Sequence, residues 1–192
     1  MTQFIPGKIV ATFMTKKGTE MTIRYPRWED LEGMRAFINT VSQEDIFVTF
    51  SGETVTREGE MYYLSEMFKG MELQDSLYLG CFAGEKLAGS CSILRDTQGR
   101  RRSFHVGIFG ITIAQEFRGE GVGEELSKAT IDEAEKVIEG LRLLRLQVYS
   151  PNSVARHLYE KLGFVDYGNL PKGVWYKGEY VDEVVMYKKL TD

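Results

Sequence analysis

The sequence predicts an α/β fold in a single domain over residues 1–192, on three observations. Runs rich in β-formers alternate with stretches of helical periodicity. A glycine turn at Gly119–Gly123 joins an apolar strand directly to an amphipathic helix. No internal repeat, low-complexity tract or linker divides the chain. A length of 192 residues supports one domain with a sizeable core and is short for two.

The elements follow in order. Ile9–Thr15 and Glu20–Tyr25 flank Lys16-Lys17-Gly18 as an N-terminal hairpin, with residues 1–18 as an extension. Within Trp28–Val41, Leu31, Met34, Phe37, Ile38 and Val41 have helical spacing, and Ser42–Thr56 reads as a loop. Met61, Leu64, Met67, Phe68 and Met71 mark a second helix. Ser76–Phe82 and Leu87–Leu94 form a hairpin about Ala83–Lys86, and Asp96–Arg102 is a charged turn. Phe104–Ile113 is a longer strand with glycines at Gly107 and Gly110, residues that mark a bulge or a close approach. Val122, Leu126, Ala129, Ala134, Val137 and Leu141 give a helix ending near Gly140. Leu143–Tyr149 is a strand, and Ser153 caps a short helix with Val154, Leu158 and Leu162 on one face. Phe164–Tyr167 and Tyr180–Tyr187 are the last strands, around an Asn169–Lys177 loop.

Composition narrows the function classes. A net charge of -4 and a pI near 5.4 argue against a general nucleic-acid binder. No window approaches the roughly 18 apolar residues of a membrane span, and Met1–Val10 lacks the pattern of a secretory signal. With the hairpin closed at Ala83–Lys86, Cys81 faces Ala88 and not Cys91. That predicts no disulfide and a reducing, cytoplasmic setting.

The glycine turn carries the chemistry. Arg118-Gly119-Glu120-Gly121-Val122-Gly123 leaves the backbone bare, so amides converge while the new helix adds its positive dipole end. The dinucleotide fingerprint G-x-G-x-x-G fails at Glu124, and no Gly-Lys-Ser/Thr of a P-loop is present. Arg-x-x-Gly-x-Gly between a strand and a helix resembles the pyrophosphate loop of the GNAT superfamily of acetyl-CoA-dependent N-acetyltransferases. A second motif, Asn152-Ser153-Val154-Ala155-Arg156-His157-Leu158-Tyr159-Glu160-Lys161-Leu162-Gly163-Phe164, resembles that family's Asn-x-x-Ala-x-x-x-Tyr-x-x-x-Gly-Phe. It follows the loop after one helix and one strand. The resemblance covers about Leu77–Tyr187. Arg101–His105, with Gly178–Glu183 and Met186, is similar to the branch that includes L-amino-acid and other small-molecule N-acetyltransferases.

The resemblance implies the GNAT fold, a mixed and mostly antiparallel sheet of six to seven strands with about four helices. Residues 104–141 are then the coenzyme A-binding strand, loop and helix. It implies acetyl-CoA as cosubstrate, no metal, direct transfer to a primary amine of a small molecule, and no nucleic-acid or membrane partner; a homodimer stays open. Protein N-terminal or lysine acetylation is the alternative, and a non-catalytic acyl-CoA sensor a further one. By the same resemblance, Ile111, Thr112 and Ile113 offer backbone groups to the pantetheine and the carbonyl. Arg118, Gly119, Glu120, Gly121, Val122 and Gly123 hold the pyrophosphate, Asn152 contacts the pantetheine or orders nearby water, and Ala155 is among the cofactor-binding residues. Tyr159 is the acid for the departing sulfur, although its spacing also suits a core aromatic.

Alkylamines near pKa 10 are protonated at neutral pH, so the reaction needs a base or a water chain. Relatives carry a strand glutamate where this sequence has Gly107. His105, two residues earlier on the same strand face, titrates in a suitable range and is the catalytic base candidate. Glu58 and Glu60 are the others, either as base or to hold a cationic acceptor. Glu120, Glu124 and Glu125 place negative charge about the pyrophosphate site, with Arg118, Lys128 or Arg156 available to offset it.

Overall fold

The structure, a computed structural model, describes residues 4–44, 47 and 52–190. The strands are β1 (Ile9–Met14), β2 (Glu20–Arg24), β3 (Ser76–Ala83), β4 (Lys86–Arg95), β5 (Val106–Ile113), β6 (Leu143–Tyr149), β7 (Val165–Tyr176) and β8 (Glu179–Lys189). The helices are α1 (Leu31–Gln43), α2 (Arg57–Glu72), α3 (Val122–Val137) and α4 (Ser153–Lys161). The sheet has eight strands in the order β1-β2-β3-β4-β5-β6-β8-β7. β5 and β6 run parallel; β1–β2, β2–β3, β3–β4, β6–β8 and β7–β8 run antiparallel. The count exceeds the expected six to seven because the N-terminal hairpin is no loose extension. Its β2 joins the sheet through Thr22–Arg24 against Gly80–Phe82.

The chain packs as two compact units, Met1–Leu94 with Gly110–Glu139, and Arg95–Phe109 with Gly140–Asp192. In the first, Met21, Ile23, Leu64, Leu77, Leu79, Ile93 and Leu126 are fully buried. Arg24 on β2 forks onto Asp30 ahead of α1 at 2.6 and 2.8 Å, with both side chains buried. The Arg24 guanidinium also lies 3.6 Å from the centre of the Phe82 ring. Burial alone would raise the Asp30 pKa. Hydrogen bonds from Arg24 and from the Arg27 amide prevail and lower it. In the second unit, Leu144, Leu146, Phe164 and Met186 form the core.

Several expectations need correction. Ser42 and Gln43 belong to α1, and residues 45–46 and 48–51 of the expected 42–56 loop lie outside the described residues. Val154 is exposed, because the inward face of α4 is set by Tyr159 and Leu162. The Asn169–Lys177 stretch is not a loop. β7 runs through it to Tyr176 and returns as β8 by a tight turn at Lys177 and Gly178, both at positive φ. Pro171 is tolerated there because β7 is an edge strand whose register shifts between Leu170 and Val174. Asp182 fastens that irregularity, accepting hydrogen bonds from Asn169 Nδ2 and the Lys172 amide, both at 2.9 Å. Finally, Leu79 faces Cys91 and Cys81 faces Gly89, one residue away from the expected register, because a bulge intervenes at Cys81/Phe82. Both cysteines are free and buried, and burial pushes each thiol up to about 12.

Candidate active site

After β5 the chain makes one short turn, Gln115–Phe117, and enters the glycine loop. Gly119 (φ 77°) and Gly121 (φ 90°) are left-handed, a conformation that side chains strain. A Cβ built at either position would meet no atom within 4 Å, so the space before them is open. The Glu124 and Glu125 amides close on the Gly121 carbonyl at 3.1 and 3.2 Å. No amide from Gly119 to Gly123 donates a hydrogen bond among the described residues. A run of unused donors at the start of the sixteen-residue α3 is suited to a diphosphate. The residues present therefore fit coenzyme A.

The acidic side chains are held in pairs. Glu120 takes Lys17 Nζ at 2.7 Å and the Lys17 amide at 3.2 Å, and these bonds hold its carboxyl below the usual range. Glu124 and Glu125 lie 2.6 and 3.6 Å from Lys128. Two expected cations are otherwise engaged. Arg118 forks between the Ile113 carbonyl, at 2.9 Å, and Glu44, at 2.5 Å. Arg156 pairs with Asp166 at 2.8 Å. Lys17 and Glu44, which complete these pairs, carry no local motif and were invisible in the sequence.

Upstream, β5 pairs with β6 only over Val106–Ile108, although it continues to Ile113. Ile111, Thr112 and Ile113 are half-buried on that continuation, and the Ile113 carbonyl already accepts from Arg118. Gly110 shows no crowding: its nearest neighbour would be Ser92 Oγ at 3.5 Å from an added Cβ. The close approach is instead at Gly89 on β4, where a Cβ would stand 2.9 Å from the Thr112 carbonyl.

On α4, the side chain of Asn152, rather than Ser153, caps the helix by accepting from the Ala155 amide at 3.1 Å. That amide and that oxygen are thereby committed to each other. Tyr159 is buried with its ring edge-on to Phe109, 6.0 Å between centroids, and near Phe164. The aromatic packing fixes the ring plane and so the direction of the hydroxyl.

His105 is not on the strand. β5 begins at Val106, and His105 sits exposed in the preceding turn, its carbonyl accepting from the Arg142 and Leu143 amides. The turn between Arg95 and β5 takes up Phe104 and His105, the expected start of the strand.

A cavity of about 310 Å³ lies between α1 and α2 and the strands β3 and β4. Phe37, Ile38, Met67, Phe82 and Leu87 make its walls largely apolar, and Tyr63, Tyr78 and Glu60 bring polar groups to it. Thr56 caps α2 by accepting from the Gly59 amide at 3.1 Å, which places Glu60 in the first turn. Glu60 is only 4% exposed, whereas Met61, next to it, is exposed and not core. Burial raises the Glu60 pKa, against a smaller pull downward from Arg35. Among the described residues no group of His, Cys, Asp and Glu is placed to hold a metal, and no helix is long and apolar enough to cross a membrane.

A match to the acetyltransferase (GNAT) family spans residues 42–164, well over half of the chain. The chain belongs to that family. It is an acetyltransferase. It is 28% identical over 171 residues to a protein of Bacillus subtilis described as a putative phosphinothricin acetyltransferase, covering 89% of this chain and 100% of the relative. A GNAT-family acetyltransferase from Streptococcus pneumoniae has a similar structure, with 30% identity, a TM-score of 0.80 and coverage of 89% of this chain and 99% of that one. A Salmonella typhimurium putative acetyltransferase solved with acetyl-CoA shares the fold at 19% identity and a TM-score of 0.77, over 90% and 95% of the two chains.

Proposed function

We propose that the protein transfers the acetyl group of acetyl-CoA directly to a primary amine of a small molecule. The observation that carries this reading is the row of undonated amides from Gly119 to Gly123, held open by two left-handed glycines. The cavity against α1 and α2 supports a small acceptor, since its volume is at the low end for small-molecule sites.

Acetyl-CoA supplies an activated acetyl group as a thioester. The amides of Gly119, Glu120, Gly121, Val122 and Gly123 hold its diphosphate. The backbone of Ile111 and Thr112 is left to orient the pantetheine arm, the Ile113 carbonyl being engaged by Arg118. Tyr159 gives its proton to the departing sulfur. Its neighbours Phe109 and Phe164 exclude water from the ring and fix its orientation. Asn152 serves through the helix it caps, setting the start of α4 and so the place of Tyr159 two turns on. His105 is left out of the proton path. It is exposed and lies in the turn before β5. The acceptor ammonium loses one proton to solvent before it attacks, and the second, lost from nitrogen after the attack, restores Tyr159. The two free, buried cysteines are compatible with a cytoplasmic enzyme and take no covalent part.

The test is release of free thiol from acetyl-CoA with amines, amino acids, polyamines and short peptides as acceptors. Turnover confined to peptides would overturn the small-molecule reading, and no turnover with saturable acetyl-CoA binding would leave a sensor. Tyr159→Phe should lower kcat about a hundredfold, the scale of a lost general acid, with acetyl-CoA affinity nearly unchanged. Equal turnover removes Tyr159 from the mechanism.

A further inference from the structure

We propose that the cavity between α1, α2, β3 and β4 seats the acceptor and that Glu60 selects it, as an amine on an apolar body with no carboxylate at the end that enters. The proposal rests on the acetyltransferase reading and narrows its substrate class.

Three observations carry it. First, among the described residues Glu60 is the one acid lining the cavity, and no described Lys, Arg or His lines it. Second, Glu60 is a buried residue, 4% exposed, and no described residue hydrogen-bonds its carboxylate. A carboxylate removed from water without donors is costly to keep ionised, and an ammonium group is the partner that relieves that cost. Third, the cation it feels most, Arg35, is already engaged by Glu32 at 2.9 Å and does not line the cavity.

The walls complete the description. Phe37, Ile38, Met67, Phe82 and Leu87 offer hydrocarbon and aromatic surface to the body of the ligand. Tyr63 and Tyr78 lie edge-on, 6.0 Å between ring centroids, and share a hydrogen bond. Burial raises both hydroxyl pKa values, so they stay neutral and add no anionic charge. A free amino acid would bring a carboxylate to a wall whose fixed charge is already negative and which holds no cation to receive it. An aryl- or alkylamine brings the complementary charge alone. The cavity therefore favours amines over amino acids, and the preference resides in one side chain on α2.

Phenethylamine and L-phenylalanine differ only by the α-carboxylate and make the discriminating pair. Their binding is measured by calorimetry, with and without coenzyme A, and their KM by thiol release. The wild type should bind phenethylamine at least tenfold more tightly than phenylalanine, and Glu60→Gln should weaken phenethylamine about tenfold and narrow that gap. Glu60→Gln should melt no lower than the wild type, since it removes a buried charge that lacks a protein partner. Glu60→Asp, which keeps the charge, should keep the preference for the amine, and it decides the matter if the glutamine variant does not fold. Equal binding of the two compounds, or unchanged phenethylamine affinity in Glu60→Gln, overturns the proposal while thiol release with other acceptors leaves the enzyme intact. If acetyl-CoA fails to bind while phenethylamine still depends on Glu60, the acetyltransferase reading falls and the cation site remains.

Discussion

The glycine loop and the cavity under α1 and α2 are built on opposite principles. The loop presents backbone: its amides are the same in any sequence, and the residues Gly119 and Gly121 matter because they allow left-handed turns and carry nothing. The cavity presents side chains, and among the described residues its one charged group comes from the first turn of α2. A backbone site is written locally, in consecutive letters. A side-chain site is written across elements far apart in the chain, here α1, α2, β3 and β4. The loop thus tolerates change in its side chains and not in its glycines, while the cavity should respond to each group that shapes it.

The largest expected effect strikes the frame of the cavity. Arg24 and Asp30 tie β2 to the start of α1, both buried, and removal of one partner strands the other charge. Asp30→Ala should cost about 3–5 kcal/mol of stability, measured by chemical denaturation. The same pair predicts a pH response. The folded pKa of Asp30 is lowered, so its contribution is fully present above the unfolded value near 3.9 and is lost as pH falls through the folded value. Acid titration of the wild type should show this loss below about pH 4, and in Asp30→Ala that part of the slope should be absent. A loss under 1 kcal/mol would mean that α1 is held without the pair.

The next effect falls on the loop. Gly121→Asp forces a side chain into φ 90° and adds an anion where a diphosphate is to sit. Acetyl-CoA affinity should drop at least about a hundredfold by calorimetry, with amine binding in the cavity unchanged. Unchanged acetyl-CoA affinity would remove the cradle. A parallel loss of amine binding would show that the loop and the cavity are coupled.

The same contrast explains what could be read in advance. The strand–loop–helix from β5 to α3 and the α4 motif were legible because their determinants are neighbours in sequence: apolar periodicity, then glycine, then periodicity again. Tyr159 was legible for the same reason, four residues from Ala155 and five from Phe164. Whatever depends on register was not. The Cys81/Phe82 bulge moves the cysteine pairing by one residue, and a bulge leaves no mark in a run of β-formers. Part of β7 reads as a loop because Pro171, Gly168 and Gly173 are strand breakers except on an irregular edge. His105 reads as part of a strand that starts one residue later, and the charge partners Glu44 and Lys17 have no local signature. Glu60 was visible only as one of two acids at a helix start. Burial separates it from Glu58, and burial is a property of the assembled fold.

The smallest effect tests whether side chains matter to the loop at all. Lys17 reaches across from the β1–β2 turn to neutralise Glu120, and it is well exposed, with 74% of its side chain accessible. Surface pairs of this kind are screened and weak. Lys17→Ala frees the Glu120 carboxylate beside the amides and should weaken acetyl-CoA binding by roughly two- to threefold at low salt, the difference fading at high ionic strength. Calorimetry at two salt concentrations reads this directly. A tenfold loss that survives high salt would show that Lys17 positions the Glu120 backbone through its own amide, which also bonds that carboxylate, and the loop would then depend on side chains as the cavity does.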